Sequence, residues 1–172
     1  MDEQVILVDS SDREKGTMGK EQAHREGRLH RAFSVFLFNE AGELLLQRRA
    51  AGKYHSAGLW TNSCCSHPRP GETAMEAAVR RTKEEMGITA SVEKLFDFVY
   101  FTPLENGYFE YEFDHVFFGK TNEQPRPDPA EVMDTKWMSA EAIAADLDAN
   151  PSAYTFWFQL IFKDIVARMK AL

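Results

Sequence analysis

The sequence predicts a single α/β (α+β) domain in which a mixed β-sheet forms a sandwich with flanking helices. Its 172 residues are the length of one ordinary domain. Segments with strand character are interspersed with segments of helical period, and neither an internal repeat nor a low-complexity linker divides them. The composition, 44% hydrophobic and 27% charged, is that of a globular protein. We therefore expect residues 1–172 to form one domain.

The first third of the chain alternates apolar segments with polar ones. Residues 3–9 predict a short strand, whereas residues 10–28 are polar and have no sustained period, so we expect a long loop there. Residues 29–48 contain two apolar segments joined by a turn, and they predict a hairpin whose first strand is buried. Another strand is expected over residues 58–64.

The strongest helical pattern covers residues 72–86, and Gly87 supplies a C-terminal stop. At about 100° per residue, one face of this helix is predicted to face the core. That face carries Met75, Val79, Thr82 and Met86. Arg81 and Glu85 lie one turn apart on its flank, which indicates either a solvated charged face or part of a functional site.

The C-terminal half predicts more strands and two helices. The strands are expected over residues 89–94, 96–101, 108–119 and 131–138. Ser139 is a suitable N-cap for a helix over residues 140–148. Asn150, followed by Pro151, predicts the start of a C-terminal helix that covers residues 155–169.

The charge balance excludes some classes of partner. A net charge of −7 disfavours binding to nucleic acid or to acidic membranes. No apolar segment approaches the ~20 residues of a membrane span, and the acidic N-terminus does not resemble a secretory signal. We therefore expect a cytoplasmic protein that binds neither nucleic acid nor membrane.

Both cysteines of the chain are adjacent. Consecutive Cα atoms lie about 3.8 Å apart, so a disulfide between Cys64 and Cys65 would be strained. His67 follows two residues later, which favours a metal neighbour or a reactive thiol. The alternative is that both side chains simply pack in the core.

A second group of polar residues lies on the strand predicted over residues 108–119. Alternation places Glu110, Glu112 and Asp114 on one face and Tyr111, Phe113 and His115 on the other. The carboxylates indicate either a bound cation or a wet edge strand. If His24, His30 and His67 approach two of these glutamates, the nitrogen and oxygen donors suit zinc, manganese or iron.

Basic residues form a third group. In an acidic protein they are candidates to bind an anionic substrate, although surface solubility is the alternative explanation. They are Lys20, Arg48, Arg49, Lys53 and Arg81.

Five segments together resemble type 1 isopentenyl-diphosphate delta-isomerase, a Nudix-related family, over nearly the whole chain. They are HRAFSVFLFN, LLLQRR, TNSCCSHP, FEYEF and EVMD before Trp137. The general Nudix box is G-x5-E-x7-R-E-U-x-E-E-x-G-U, and here Ser66 replaces its first glycine and Arg81 one of its glutamates. The box carboxylates of a hydrolase hold Mg²⁺ ions that activate water on a diphosphate. Arg81 therefore favours an enzyme that leaves the phosphates intact.

The resemblance implies a Nudix-type fold and an isomerase of isoprenoid biosynthesis. Isopentenyl diphosphate would be converted to dimethylallyl diphosphate by protonation and deprotonation through a tertiary carbocation. By motif, Cys65 and Glu112 would be the acid/base pair, and Tyr100 would donate a hydrogen bond to the carboxylate. The ring of Trp157 would stabilise the cation.

The resemblance also implies two metal ions and a diphosphate site. One Zn²⁺ or Mn²⁺ would bind His24, His30, His67, Glu110 and Glu112. One Mg²⁺ would bind Glu85, the carbonyl of Cys65 and the substrate. The diphosphate would contact Lys20, Arg49, Lys53 and Arg81. The interval between His24 and His30 is one residue shorter than in bacterial members.

We expect the protein to act on isopentenyl diphosphate, a small molecule, as a monomer or weak dimer. Two other classes of function stay open at this point. One is a Nudix-type diphosphate hydrolase, and the other is a non-catalytic metal or thiol module.

Overall fold

The computed structural model describes residues 3–171 of the chain. In this range nine strands form one mixed sheet and four α-helices pack on it. The strands are β1 (Gln4–Val8), β2 (Glu14–Gly19), β3 (His30–Phe38), β4 (Leu44–Arg49), β5 (Trp60–Thr61), β6 (Cys64–Ser66), β7 (Glu93–Pro103), β8 (Phe109–Lys120) and β9 (Val132–Met138). The helices are α1 (Lys20–Glu26), α2 (Ala74–Met86), α3 (Ala140–Ala149) and α4 (Phe156–Lys170).

Strand β3 organises the sheet. It pairs in parallel with β8 along its whole length, from His30↔Glu112 to Phe38↔Lys120. Its other edge pairs antiparallel with β6, where Ser34 is opposite Cys65, and with β1. Strands β6 and β8 therefore lie on the two sides of β3.

Alternation along β3 and β4 produces a hydrophobic core on each face of the sheet. Helix α2 covers one face, where the core includes Phe33, Val35, Leu37, Leu45, Ala77, Ala78 and Met86. Helices α3 and α4 cover the other, where it includes Phe36, Leu44, Leu46, Ile143, Phe158, Phe162 and Ile165. Strands buried on both faces read as continuous apolar runs, which explains the FSVFLF and LLL segments. The predicted α+β sandwich is confirmed.

Residues 14–26 correct the predicted loop. They form β2, which pairs with β1 from Gln4↔Gly19 to Val8↔Glu14, and the seven-residue helix α1. Strand β2 is mostly exposed, so it lacks the alternation by which strands are recognised. Helix α1 ends at Gly27, whose φ of 66° is the left-handed conformation that favours glycine.

Three other predictions of elements need correction. Strands β3 and β4 are joined by a turn but pair only at Phe38↔Leu44, because β4 continues along β9 instead. The strands predicted over 89–94 and 96–101 are one strand, β7, that begins at Glu93. Pro151 opens a separate short 3-10 turn, and α4 begins after Thr155.

Helix α2 is rotated relative to its predicted core face. Met75 is 45% exposed, whereas Ala78 and Glu85 are buried with Thr82 and Met86. The small alanines allow close approach to the sheet, which turns Glu85 inward. Thr73 caps the helix in a capping box with Glu76, and Ser139 is the N-cap of helix α3 as predicted. Within residues 3–171 no helix is long and apolar enough to cross a membrane.

Candidate active site

A cavity of about 290 Å³ opens at one end of the sheet, between β3, β6, β8, α2 and α4. Nearly all its walls are polar or aromatic. The lining residues are Lys20, Ser34, Arg49, Gly52, Lys53, Tyr54, His55, Cys65, Ser66, His67, Arg81, Glu85, Glu110, Glu112, Ala130 and Trp157. Ten of the thirteen residues predicted from the sequence to form a site therefore line one cavity. Of the other three, His30 and Tyr100 contact Glu112, and His24 contacts Glu110.

Three histidines converge beside this cavity from separate elements. Helix α1 carries His24, β3 begins with His30, and His67 follows β6. The Nδ1 atom of His24 lies 2.7 Å from the carbonyl of Lys20, and that of His30 lies 2.8 Å from the carbonyl of Arg28. In both rings Nδ1–H therefore donates to the backbone, so Nε2 is the nitrogen that is directed into the cluster.

Two buried carboxylates meet these nitrogen atoms. Glu110 Oε1 lies 2.6 Å from His24 Nε2, and Glu112 Oε2 lies 3.2 Å from His30 Nε2 and 2.7 Å from His67 Nε2. Burial and the neighbouring Glu112 raise the pKa of Glu110. Burial also opposes ionisation of Glu112, but hydrogen bonds from His30 and His67 outweigh it and hold its pKa well below the usual range.

This cluster fits a divalent cation. One ligand atom each from His24, His30, His67 and Glu112 lie within 4.8 Å of one another. Imidazole nitrogen and carboxylate oxygen are the donors that zinc and manganese accept. Two carboxylates buried side by side need positive charge, which a metal supplies.

The adjacent thiols have different surroundings. Cys64 is completely buried, and its Sγ lies 3.4 Å from Glu85 Oε2. The Cys65 side chain lines the cavity, and its thiol donates to Asn62 Oδ1 at 3.5 Å. Burial raises the pKa of Cys65 to about 12, although Arg49 opposes the shift. The thiol therefore holds its proton at neutral pH.

Helix α4 supplies the aromatic wall. Trp157 is 3% exposed, and its ring contacts that of His55 edge-on with centroids 6.2 Å apart. The guanidinium carbon of Arg49 lies 5.5 Å from the centroid of the Trp157 ring, within the range of a cation–π interaction. The cavity thus already places one positive charge against this ring.

Four basic residues, Lys20, Arg49, Lys53 and Arg81, line the cavity. Lys53 pairs with Glu131, and Lys20 Nζ lies 3.1 Å from Glu3 Oε2. The Nε atoms of Arg49 and Arg81 are buried and have no hydrogen-bond partner among residues 3–171. Buried donors without an acceptor are rare, and an anionic ligand would satisfy them. The remaining candidate, Arg48, is not in the cavity wall and donates to the carbonyl of Gly58 at 2.8 Å.

Arginines pair with the carboxylates of the Nudix-like box. Glu72 accepts two hydrogen bonds from Arg80, at 2.7 and 2.8 Å. Arg81 donates to Glu84 at 2.5 Å and to Glu85 at 2.7 Å. Carboxylates that are bound to guanidinium groups are less available to a cluster of Mg²⁺ ions, so the arrangement favours binding of phosphate over its hydrolysis.

Several cavity residues were not singled out from the sequence. His55 showed no partner in the sequence, yet it is buried in the cavity wall. Ser34 Oγ donates to Asp114 Oδ2 at 2.8 Å beneath the cluster. Tyr54 OH lies 3.1 Å from Nδ1 of His24. These residues stand in loops or apolar runs, where no periodicity identifies a functional side chain.

The fold has close counterparts among solved structures. The family model described as NUDIX domain matches residues 28–158. A structure of DR0079 from Deinococcus radiodurans superimposes with a TM-score of 0.79 at 23% identity, covering 94% of this chain and 98% of that one. A MutT protein from Methanosarcina mazei gives a TM-score of 0.68 at 23% identity, covering 83% and 96%. The chain therefore belongs to the Nudix family.

Sequence relatives narrow this assignment. The chain is 53% identical over 167 residues to isopentenyl-diphosphate Delta-isomerase 1 of Aromatoleum aromaticum, covering 97% of this chain and 94% of the relative. It is 48% identical to isopentenyl-diphosphate Delta-isomerase 2 of Photorhabdus laumondii, covering 96% and 93%. Within the Nudix family, the chain belongs to the isopentenyl-diphosphate Delta-isomerases, and the resemblance seen in the sequence is confirmed.

Proposed function

We propose that the chain interconverts isopentenyl diphosphate and dimethylallyl diphosphate in this cavity, with Cys65 and Glu112 as the groups that exchange protons. One observation carries this proposal. Cys65 on β6 and Glu112 on β8 reach the same cavity from the two sides of β3. Isomerisation needs a proton added at one end of an allylic system and another removed at the other end, so two separated groups are required.

The protonation state of Cys65 suits the first step. The neutral thiol gives its proton to the terminal methylene carbon, so an S–H bond breaks, a C–H bond forms and the charge moves to the tertiary carbon. Glu112 accepts a proton from the carbon adjacent to the CH₂–O group, and the electrons of that C–H bond form the new double bond. The reverse reaction exchanges the two roles.

Other residues orient the pair and stabilise the charge. Tyr100 donates to Glu112 Oε1 at 2.6 Å and fixes the direction of that carboxylate. The face of a buried tryptophan attracts a cation by about 2 kcal/mol or more, and Trp157 lies in the cavity wall. A substrate that fills the cavity would displace water from it, which would protect the cation from capture by water.

Lys20, Arg49, Lys53 and Arg81 would bind the diphosphate. His24, His30, His67, Glu110 and Glu112 would hold one Zn²⁺ or Mn²⁺, and Glu85 with the Cys65 carbonyl would hold one Mg²⁺ together with the substrate. When bound, these ions supply positive charge that offsets the buried carboxylates and the diphosphate.

The test is an NMR assay in D₂O with isopentenyl diphosphate, Mg²⁺ and protein reconstituted with Zn²⁺ or Mn²⁺. Deuterated dimethylallyl diphosphate is expected from the native protein and from the control Cys64→Ala. No product above background is expected from Cys65→Ala or Glu112→Gln. Release of phosphate or pyrophosphate without an allylic product would instead support a hydrolase. Turnover by Cys65→Ala equal to that of the native protein would contradict the assigned thiol.

A further inference from the structure

His55 lies in the loop between β4 and β5, and its side chain is held inside the cavity. The residue is 6% exposed. Arg49 Nη2 donates to the carbonyl of His55 at 3.2 Å, and the N–H of Ser56 donates to Glu105 Oε1 at 2.5 Å. Ser56 has a φ of 52°, a left-handed conformation that is uncommon for serine. Contacts on both sides therefore fix the loop in the conformation that directs this ring inward.

The two ring nitrogens of His55 have different neighbours. Nδ1 lies 3.1 Å from Ser56 Oγ. Nε2 lies 3.9 Å from Glu110 Oε2, which is too long for a hydrogen bond. Two donors at about 2.1 Å from a common ion are separated by about 3.0 Å at right angles and about 4.2 Å when opposite. The observed separation falls between these values.

Glu110 and His24 connect His55 to the histidine cluster. Ligand atoms of His24, His55 and Glu110 lie within 4.8 Å of one another, and His24 also belongs to the group formed with His30, His67 and Glu112. The ring centroids of His24 and His55 are 5.3 Å apart, and the two ring planes are tilted by 30°. The two groups thus share the side chain of His24.

We propose that His55 is an additional protein ligand of the His/Glu metal site, which makes six side chains with four imidazoles around one divalent ion. This inference rests on the metal site of the proposed function and extends its ligand set. A fourth imidazole favours ions such as Zn²⁺, which accept nitrogen ligands readily. Six side-chain donors also leave no position for a metal-bound water, which suits an enzyme that does not hydrolyse its substrate.

The competing explanation is that His55 only packs in the cavity wall. Its ring contacts those of Tyr54 and Trp157, with centroids 4.9 and 6.2 Å away. A packing role predicts that an aromatic ring without a donor atom would serve equally well. The two explanations therefore differ in the metal affinity of His55→Phe.

The experiment is a titration of the metal-free protein with Zn²⁺ alone, in competition with a chromophoric chelator. His55→Phe is expected to lower Zn²⁺ affinity by about 10- to 100-fold or more, and His55→Gln by a smaller factor. His115→Gln is the matched control, because His115 lies outside the cavity wall; its affinity should equal that of the native protein. Near-UV circular dichroism shows which variants are folded. If only one of the two His55 variants folds, its Zn²⁺ affinity alone is enough to test the proposal.

X-ray absorption of the Zn²⁺-loaded protein then counts the imidazoles directly. Four in the native protein and three in His55→Phe support the inference. Three in both, or equal affinities for Zn²⁺, overturn it. If the native protein binds Zn²⁺ through four imidazoles but does not isomerise isopentenyl diphosphate, the proposed function fails and the inference stands. If the native protein isomerises isopentenyl diphosphate but binds Zn²⁺ through three imidazoles, the proposed function stands and the inference about His55 fails.

Discussion

The hydroxyl of Tyr100 donates a hydrogen bond to Oε1 of Glu112, with 2.6 Å between the two oxygens. The residues are direct partners in the pairing of β7 with β8, so the sheet sets their separation. Burial raises the pKa of Tyr100 well above its usual value, and Glu112 raises it further, so the hydroxyl remains a donor. The second oxygen of Glu112 contacts His30 and His67. Tyr100 therefore controls the orientation of the oxygen that the histidines do not contact.

Tyr100→Phe tests this role. The phenyl ring keeps the stacking on Phe98, whose centroid is 5.4 Å away, and only the hydrogen bond is lost. A hydrogen bond to a charged group contributes about 1.5–3 kcal/mol, so kcat is expected to fall by about 10- to 100-fold with little change in KM. Steady-state kinetics measures both.

The matched control for this substitution is Tyr154→Phe. It also removes the hydroxyl of a buried tyrosine, which donates to Asp146 at 2.5 Å, but Tyr154 does not line the cavity. It should lower the free energy of unfolding by about 1 kcal/mol and leave kcat unchanged. Equal kcat values for Tyr100→Phe and the native protein would exclude a role of this hydroxyl in turnover.

Two adjacent arginines of α2 have different surroundings, so substitutions at them distinguish an effect on substrate binding from an effect on helix stability. Arg81 lines the cavity and has a buried Nε without a partner in residues 3–171. Arg80 points away from the cavity and pairs with Glu72. Arg81→Ala is expected to raise KM for isopentenyl diphosphate by at least about 10-fold, because charge-assisted bonds to phosphate are lost. Arg81→Lys should recover part of this, since lysine keeps the charge but not the planar fork.

Arg80→Ala provides the comparison in the same assay. Its ion pairs with Glu72 and Glu84 are partly exposed, so a loss of about 1 kcal/mol of stability or less is expected, with KM within about 3-fold of the native value. If Arg80→Ala raises KM as much as Arg81→Ala does, the assignment of Arg81 to the diphosphate is wrong.

Part of the site could be predicted from the period of a strand and from one short motif, whereas the roles of residues such as Tyr100 and Trp157 were implied only by the resemblance to the isomerase family. A period of two places Glu110, Glu112 and Asp114 on one face of β8, and the structure agrees, since the two glutamates line the cavity and Asp114 bonds to the cavity residue Ser34. Cys65 and His67 are two residues apart in one short segment. No tertiary information is needed for either inference.

Contacts between distant parts of the chain explain what was missed. Strand β2 is mostly exposed and exists because it pairs with β1, and α1 is only seven residues long. Such short elements depend on tertiary packing more than on propensity. His55 is separated from Glu110 by fifty-five residues, and only the fold brings them within 3.9 Å. A lone histidine in a loop has no sequence signal for such a contact.

Substitution of Cys64 tests whether Cys65 alone is the thiol that takes part in the reaction. Cys64 is 0% exposed and packs among Phe33, Val35 and Ala78 in the core on the α2 face. Cys64→Ala is expected to retain most of the activity and to lower the free energy of unfolding by about 1–2 kcal/mol, because a buried sulfur is removed. Urea unfolding and the isomerase assay measure the two effects. A variant that folds normally but has no activity would show that the buried thiol takes part in the reaction.

His115 lies on the other face of β8 and contacts two charged residues, Asp12 and Lys94. Its Nε2 is 2.9 Å from Asp12 Oδ2, and its Nδ1 is 2.8 Å from Lys94 Nζ. Asp12 also accepts from Arg31 Nε at 2.7 Å, and Lys94 pairs with Asp97. Burial and then Lys94 lower the pKa of His115, and Asp12 only partly offsets them.

This direction of shift sets the sign of a pH effect on stability. Since the folded-state pKa of His115 is below the unfolded value of about 6.5, the unfolded chain binds the proton more readily. The stabilisation from neutral His115 is therefore complete above about pH 6.5 and is lost as the pH falls. His115→Gln is expected to be less stable than the native protein by about 1 kcal/mol at pH 8, and the difference should shrink towards pH 5. Urea unfolding of both proteins at pH 8, 6.5 and 5 measures it. A difference that instead grows as the pH falls would mean that Asp12 holds His115 in its charged form.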